Sequence, residues 1–187
     1  QTARYGEVLR IGDAEISFHP AGHVPGSAQI RVAVGGEVWV VSGDYKTVDD
    51  GLSEAFEPVP CHCFISECTF GLPIYHWPDA ADLAAQINGW WAQTRAKRQT
   101  AVIGAYALGK AQRVLRMLDP AIGPILTHGA ITATNDVLRA QGIALPATVA
   151  VTPGMDLKPY RGAMVVAPPA ALGSAWMPID SQSVGLA

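Results

Sequence analysis

The chain has 187 residues, 49% of them hydrophobic and 16% charged. That balance excludes a disordered segment and is enough to bury a core. The formal net charge of −3 excludes a wholly basic, histone-like binder but leaves room for a local basic groove.

Three cysteines are too few, and odd in number, for a disulfide scaffold, and they suit a reducing, cytoplasmic compartment. The sequence holds no apolar run of membrane-spanning length and no basic start followed by an apolar stretch. Because it opens on Gln1, a fragment of a longer protein is expected.

The first part alternates with the period of two that strands require. Glu15-Ile16-Ser17-Phe18-His19 sets Ile16 and Phe18 on one face. Gln29 to Val34 and Glu37 to Val41 are joined by Gly35-Gly36, which predicts a hairpin with a tight turn. The mostly apolar second strand predicts burial on both faces, beneath helices. Asp44 to Pro60 reads as a polar connection, and Cys61 to Ser66 as a short buried strand.

A helix is predicted from near Pro78, with Asp79 and Asp82 at its positive end, through Leu83, Ile87, Trp90 and Trp91 to the basic cluster Arg95, Lys97 and Arg98. Then come a strand at Thr100 to Gly104, a helix at Gly109 to Leu118 stopped by Asp119-Pro120, and a strand at Pro124 to Thr127. A helix at Ala133 to Gln141 closed by Gly142 and a strand at Met164 to Ala167 complete the series. A hairpin region followed by alternating strands and helices indicates an α/β architecture, with its boundary between Pro58 and Glu67.

Four segments carry residues suited to chemistry. In His19-Pro20-Ala21-Gly22-His23-Val24-Pro25-Gly26-Ser27-Ala28 a strand runs into a Gly- and Pro-punctuated loop, which can present His23 at the sheet edge as a nitrogen ligand. Alone, it is more often a turn histidine. Val40-Val41-Ser42-Gly43-Asp44-Tyr45 delivers a carboxylate at a strand end. Two oxygens without a proton can bridge two cations, although Asp after Gly is commonly a turn residue. Glu67 in Ile65-Ser66-Glu67-Cys68-Thr69-Phe70-Gly71 repeats the pattern, with a capping role as its plainer reading. Gly109-Lys110 opens a helix after a strand, where free backbone N–H groups and the Lys110 charge suit a phosphate. The bland alternative is a solvated lysine.

Other features read as structural. Cys61 and Cys63 alternate with His62 along a strand, so the imidazole faces away from both thiols and the cysteines are expected in the core. His128 before Gly129 is a lone histidine. Trp90 and Trp91 read as packing.

In this order the four segments resemble the β-CASP branch of the metallo-β-lactamase superfamily. His19 to Ala28 looks like that group's third metal motif with His23 as ligand, and Ser42-Gly43-Asp44-Tyr45 like the fourth, whose Asp bridges two zinc ions. Glu67 matches the acidic residue that opens the β-CASP insert, and Leu108-Gly109-Lys110-Ala111-Gln112 its helix start. Within the branch, Thr69-Phe70-Gly71-Leu72-Pro73-Ile74-Tyr75, Tyr106 to Lys110 and Val165-Val166-Ala167-Pro168-Pro169 resemble the bacterial ligase-associated DNA exonucleases.

The resemblance implies a partial αββα sandwich at residues 1–60 and part of a β-CASP α/β insert at 61–187. It also implies a zinc-dependent nuclease acting on DNA, with RNA as the nearer alternative, an ATP-dependent DNA ligase as partner, and two zinc ions per complete site. His23 and Asp44 would hold metal, and Asp44 and Glu67 would serve catalysis. Lys110 would contact phosphate. The family's His-x-His-x-Asp-His loop and final metal histidine have no match here, and the tail from Pro178 to Ala187 does not look like the family. The isolated chain is therefore expected to bind zinc poorly and to be inactive. Two rivals stand: a small-ester or thioester hydrolase of the lactamase type, which the Glu67 segment disfavours, and a degenerate domain that only binds a partner.

Overall fold

Gly35 and Gly36 have φ of 58° and 88°, the left-handed pair that a two-residue hairpin turn demands. They join β3 (Ala28–Val34) to β4 (Glu37–Val41) with Val34 opposite Glu37. The expected hairpin is therefore present and fixes the register of the sheet around it. The computed structural model describes residues 2–174, Trp176, and the backbone of Val184 and Gly185. The expectation for the tail from Pro178 falls outside the described residues, apart from that last pair. The chain divides into two compact units, Gln1–His76 and Trp77–Ala187.

The first unit is one sheet of five strands in sequence order: β1 (Leu9–Ile11), β2 (Ala14–Pro20), β3, β4 and β5 (Cys63–Ile65). The first four run antiparallel, while β5 joins β4 in parallel. The strand at Cys61 to Ser66, read from sequence with the second part, thus completes the first sheet.

Directly opposed residues share a face, so Ile30, Val41 and Ile65 lie together, as do Val32, Trp39 and Cys63. That apolar face is not covered: Trp39 is 45% exposed and Ile65 46%. The expected burial of β4 on both sides is thereby corrected. Among the described residues the first unit has no helix to lay over it. The other face is closed by the connection after Asp44, where Tyr45 packs on Phe56 and Phe64 and Leu52 is buried with Ala21 and Val40. The two cysteines of the β5 segment are half-buried rather than core, because β5 is an edge strand.

The second unit is a parallel sheet in the order β10-β6-β9-β7-β8. Its strands are β6 (Ala101–Gly104), β7 (Ile125–Thr127), β8 (Val149–Ala150), β9 (Met164–Ala167) and β10 (Val184–Gly185). Every residue of β6, β7 and β9 is buried, as a parallel sheet covered on both faces requires. One face packs Ile103, Ile125, Met164 and Val166 against Trp91, Leu115 and Ile131. The other gathers Val102, Leu126, Val151 and Val165.

The helices are α1 (Ala80–Ala96), α2 (Lys110–Met117) and α3 (Gly129–Ala140). Asp79 caps α1 by accepting from the Ala81 N–H. Trp91 is fully buried and donates to the Gly162 carbonyl, so the packing role expected of it holds. Helix α3 begins four residues before the expected Ala133, because His128 caps it: Nδ1 accepts from the Ala130 N–H at 3.1 Å. Among the described residues, no helix is long and apolar enough to cross a membrane.

Candidate metal centre

The loop from Ala21 to Ser27 leaves the end of β2 and returns into β3. Its start and end are joined by Ala21 N–H to Ser27 O at 3.0 Å. Inside it the Ser27 hydroxyl accepts from the amides of His23 and Val24, at 3.1 and 3.2 Å. Gly22 has φ of +72°, and a Cβ there would overlap the Lys46 carbonyl oxygen, so only glycine passes this point without strain. Lys46, two residues after Asp44, donates its amide to Ala21 O at 2.9 Å. The segments carrying His23 and Asp44 are thus bonded backbone to backbone.

This arrangement brings His23 Nε2 to 3.5 Å from Asp44 Oδ2. The separation suits an ion pair and is long for a hydrogen bond. The imidazole is one third exposed and the carboxylate more open still, so both heads reach solvent at the tips of β2 and β4. Glu67 follows β5, the next strand over. It lies at the surface with its carboxyl held below the usual carboxylate range, chiefly by the Thr69 N–H that it accepts at 2.6 Å, and further by the nearby His23. Its plainer reading, a carboxylate that caps a turn, describes this contact.

Lys110 sits in the second unit. The amides around it are not free: Gly109 donates to Gln112 Oε1 at 2.7 Å, Lys110 to Leu108 O and Ala111 to Tyr106 O. The expectation of an open amide pocket is corrected, since the turn before α2 consumes those donors. Any phosphate contact rests on the Lys110 ammonium, which lies 5.2 Å above the exposed Tyr106 ring.

An imidazole nitrogen and a carboxylate oxygen are donors of the kind zinc accepts, but a zinc site takes roughly four ligands, water included. Among the described residues, no group of three or more His, Cys, Asp or Glu could hold an ion. The donor chemistry of His23 and Asp44 fits zinc, and a complete set needs ligands in addition to these two.

The sequence reading missed the role of His19. Its Nδ1 lies 2.9 Å from Glu57 Oε1 and its Nε2 3.0 Å from the Ser17 hydroxyl. Both ring nitrogens of His19 are engaged. The Ser17–His19–Glu57 chain has the order of a hydrolase triad, but Ser17 is 3% exposed and out of reach of a substrate. The only sequence signal was the shared strand face of residues 17 and 19; the pairing with Glu57 spans the whole hairpin.

A five-stranded sheet with His23 and Asp44 beyond its strand ends, followed by a parallel α/β sheet, makes this a mixed α/β chain, consistent with a partial metallo-β-lactamase and β-CASP fold. The comparisons agree. The chain is 31% identical over 175 residues to a probable DNA ligase of Opitutus terrae, covering 92% of this chain and 17% of the ligase. It is 29% identical over 121 residues to the endoribonuclease YSH1 of Yarrowia lipolytica, covering 64% of this chain and 14% of that enzyme. It thus spans less than a fifth of either relative. Among solved structures, a protein of unknown function from Enterococcus faecalis superposes with a TM-score of 0.55 at 12% identity, over 88% of this chain and 44% of that one, a likeness of fold. No family model matches the chain. These relatives fit the β-CASP branch of the metallo-β-lactamase superfamily, which the four sequence segments resemble.

Proposed function

We propose that the chain is part of a zinc-dependent nuclease of the ligase-associated exonuclease kind, which hydrolyses phosphodiester bonds in DNA in the cytoplasm. The observation that carries this reading is the facing of His23 Nε2 and Asp44 Oδ2 across 3.5 Å at neighbouring strand ends. These two residues would hold metal, Asp44 through its carboxylate. Zinc held there would supply an acidified water and offset charge on a phosphate.

Asp44 brings an exposed anion to the site, and Glu67 adds a second, kept ionised by the Thr69 amide. Lys110 would contact a substrate phosphate, so that binding rests largely on backbone charge. In this reading the first unit, with β5 as its last strand, belongs to the lactamase-like core, and the second unit belongs to the β-CASP insert. The likeness to a probable DNA ligase supports DNA as substrate and a ligase as partner. The likeness to an endoribonuclease favours a second reading, an RNA-processing nuclease. A third is a partner-binding domain without catalysis, favoured by the absence of a three-ligand group among the described residues.

The test is digestion of end-labelled single-stranded DNA and RNA by the longest natural polypeptide carrying this sequence, beside its Asp44→Ala variant. Cleavage of DNA that falls at least about 100-fold in the variant supports the proposal. Equal activity of the two removes Asp44 from the mechanism. Cleavage of RNA alone selects the second reading, and cleavage of neither the third.

A further inference from the structure

We infer that Gln29, His19 and Glu57 form a latch that positions His23 opposite Asp44; the inference rests on the metal reading above. Glu57 is tied at three points, two at the end of β2 and one at the start of β3. Its amide donates to Pro20 O at 3.1 Å, its carbonyl accepts from Gln29 Nε2 at 2.8 Å, and its carboxylate faces His19 Nδ1 at 2.9 Å. Gln29 Nε2 also donates to Pro20 O at 2.9 Å, so one side-chain amide on β3 holds both the end of β2 and the Glu57 backbone. Gln29 is 1% exposed. Losing its amide would take the Gln29 donor from the Glu57 carbonyl, while the Pro20 carbonyl would keep the Glu57 N–H.

The clamped residue, Pro20, immediately precedes Ala21, whose carbonyl receives the Lys46 amide at 2.9 Å. A chain of direct bonds therefore runs from Glu57 through Pro20 and Ala21 to the segment that leaves Asp44. His19 is held in one orientation. A carboxylate only accepts, so Nδ1–H donates to Glu57, and Nε2 shares a hydrogen bond with the Ser17 hydroxyl, which can donate or accept. With both nitrogens used, His19 cannot itself ligate a metal. What it can do is hold the strand end from which the His23 loop springs, as residues behind metal ligands commonly do. These are positioning residues, not catalytic ones.

The test uses the longest natural polypeptide carrying this sequence, with the variants Gln29→Leu, His19→Phe, His19→Asn and Glu57→Ala and the reference variants His23→Ala and Asp44→Ala. Deuterium exchange of peptides covering 20–28 and 44–50 is followed without metal. Zinc affinity is read by competition with a chromophoric chelator, and thermal unfolding reports whether each variant folds. Gln29→Leu and His19→Phe should speed exchange of both peptides and weaken zinc about tenfold or more. His19→Asn keeps an amide donor where Nδ1 stood and should restore both. Glu57→Ala alters a half-exposed side chain and should fold, so it decides the matter if the buried variants do not.

Wild-type exchange and affinity in the folded latch variants, or His19→Asn as weak as His19→Phe, would overturn the inference. Zinc affinity that is insensitive to His23→Ala and Asp44→Ala would remove the metal reading instead, with the metal-free exchange rates still judging the latch.

Discussion

The backbone of Gly22 lies against the carbonyl of Lys46 with no space for a side chain. Gly26, in the same loop, also has a positive φ, of +82°, yet a Cβ there meets nothing within 4 Å. The pair separates strain from contact. Gly26→Ala should cost about 1 kcal/mol for the left-handed backbone alone. Gly22→Ala adds a clash with main chain and should cost about 3 kcal/mol. Urea unfolding of the two variants checks this, and equal losses would mean that the 46 segment gives way freely.

The carboxyl of Glu67 is held below its ordinary value by the Thr69 amide. A lowered folded-state pKa means that the unfolded chain takes up its proton first as pH falls. The stability due to this contact is therefore complete above the ordinary glutamate range, near 4.3, and fades as pH drops through the lower folded value. The side chain is exposed to solvent, so the effect on stability is small. The direct check is a carbon NMR titration of Glu67 in folded and urea-unfolded protein. A folded midpoint at or above the unfolded one would reject the assignment.

Local rules made much of this chain legible. The Gly35-Gly36 turn, the run of apolar residues in β6 and β9, and Gly142 after α3 each declare themselves within a few positions. What failed was context. The residues of β4 look as buried as those of β9, yet Trp39 and Val41 are exposed, because apolar content alone does not say whether a layer exists to cover it. Gly129 hid the start of α3, since a histidine is an unusual cap. At the site, the strand-end positions of His23 and Asp44 were readable from punctuation, and the structure sets them face to face. The latch was not readable, because Glu57 reaches His19 from 38 residues away.

Trp91 gives the second unit a measurable anchor. It is fully buried and its indole N–H donates to the carbonyl of Gly162, 71 residues on, at 3.0 Å. Trp91→Phe keeps most of the ring but removes the donor and leaves a small void. The expected loss is about 2 kcal/mol, from the unsatisfied carbonyl and the missing atoms together. Trp91→Ala should cost about 3–5 kcal/mol. Guanidinium unfolding of both checks the order. A phenylalanine variant as stable as wild type would mean that Gly162 finds another donor.

Lys110 offers the cleanest electrostatic test of the proposed substrate. Its neighbouring amides are satisfied within the turn, so whatever it gives a nucleic acid comes from the ammonium near Tyr106. A contact with phosphate releases counterions, and each such contact adds roughly 0.7 to the slope of log affinity against log salt on a single strand. Lys110→Gln should therefore weaken binding of single-stranded oligonucleotides to a similar extent whatever their sequence, and flatten that slope by about that amount. Lys158, on a short helical turn of the same unit, serves as the control, and Lys158→Gln should leave the slope unchanged. Fluorescence anisotropy across a salt series measures both. If Lys110→Gln keeps the wild-type slope, the ammonium does not touch the backbone of the nucleic acid. A slope that flattens equally in both variants would mark general attraction to positive charge rather than a contact at Lys110.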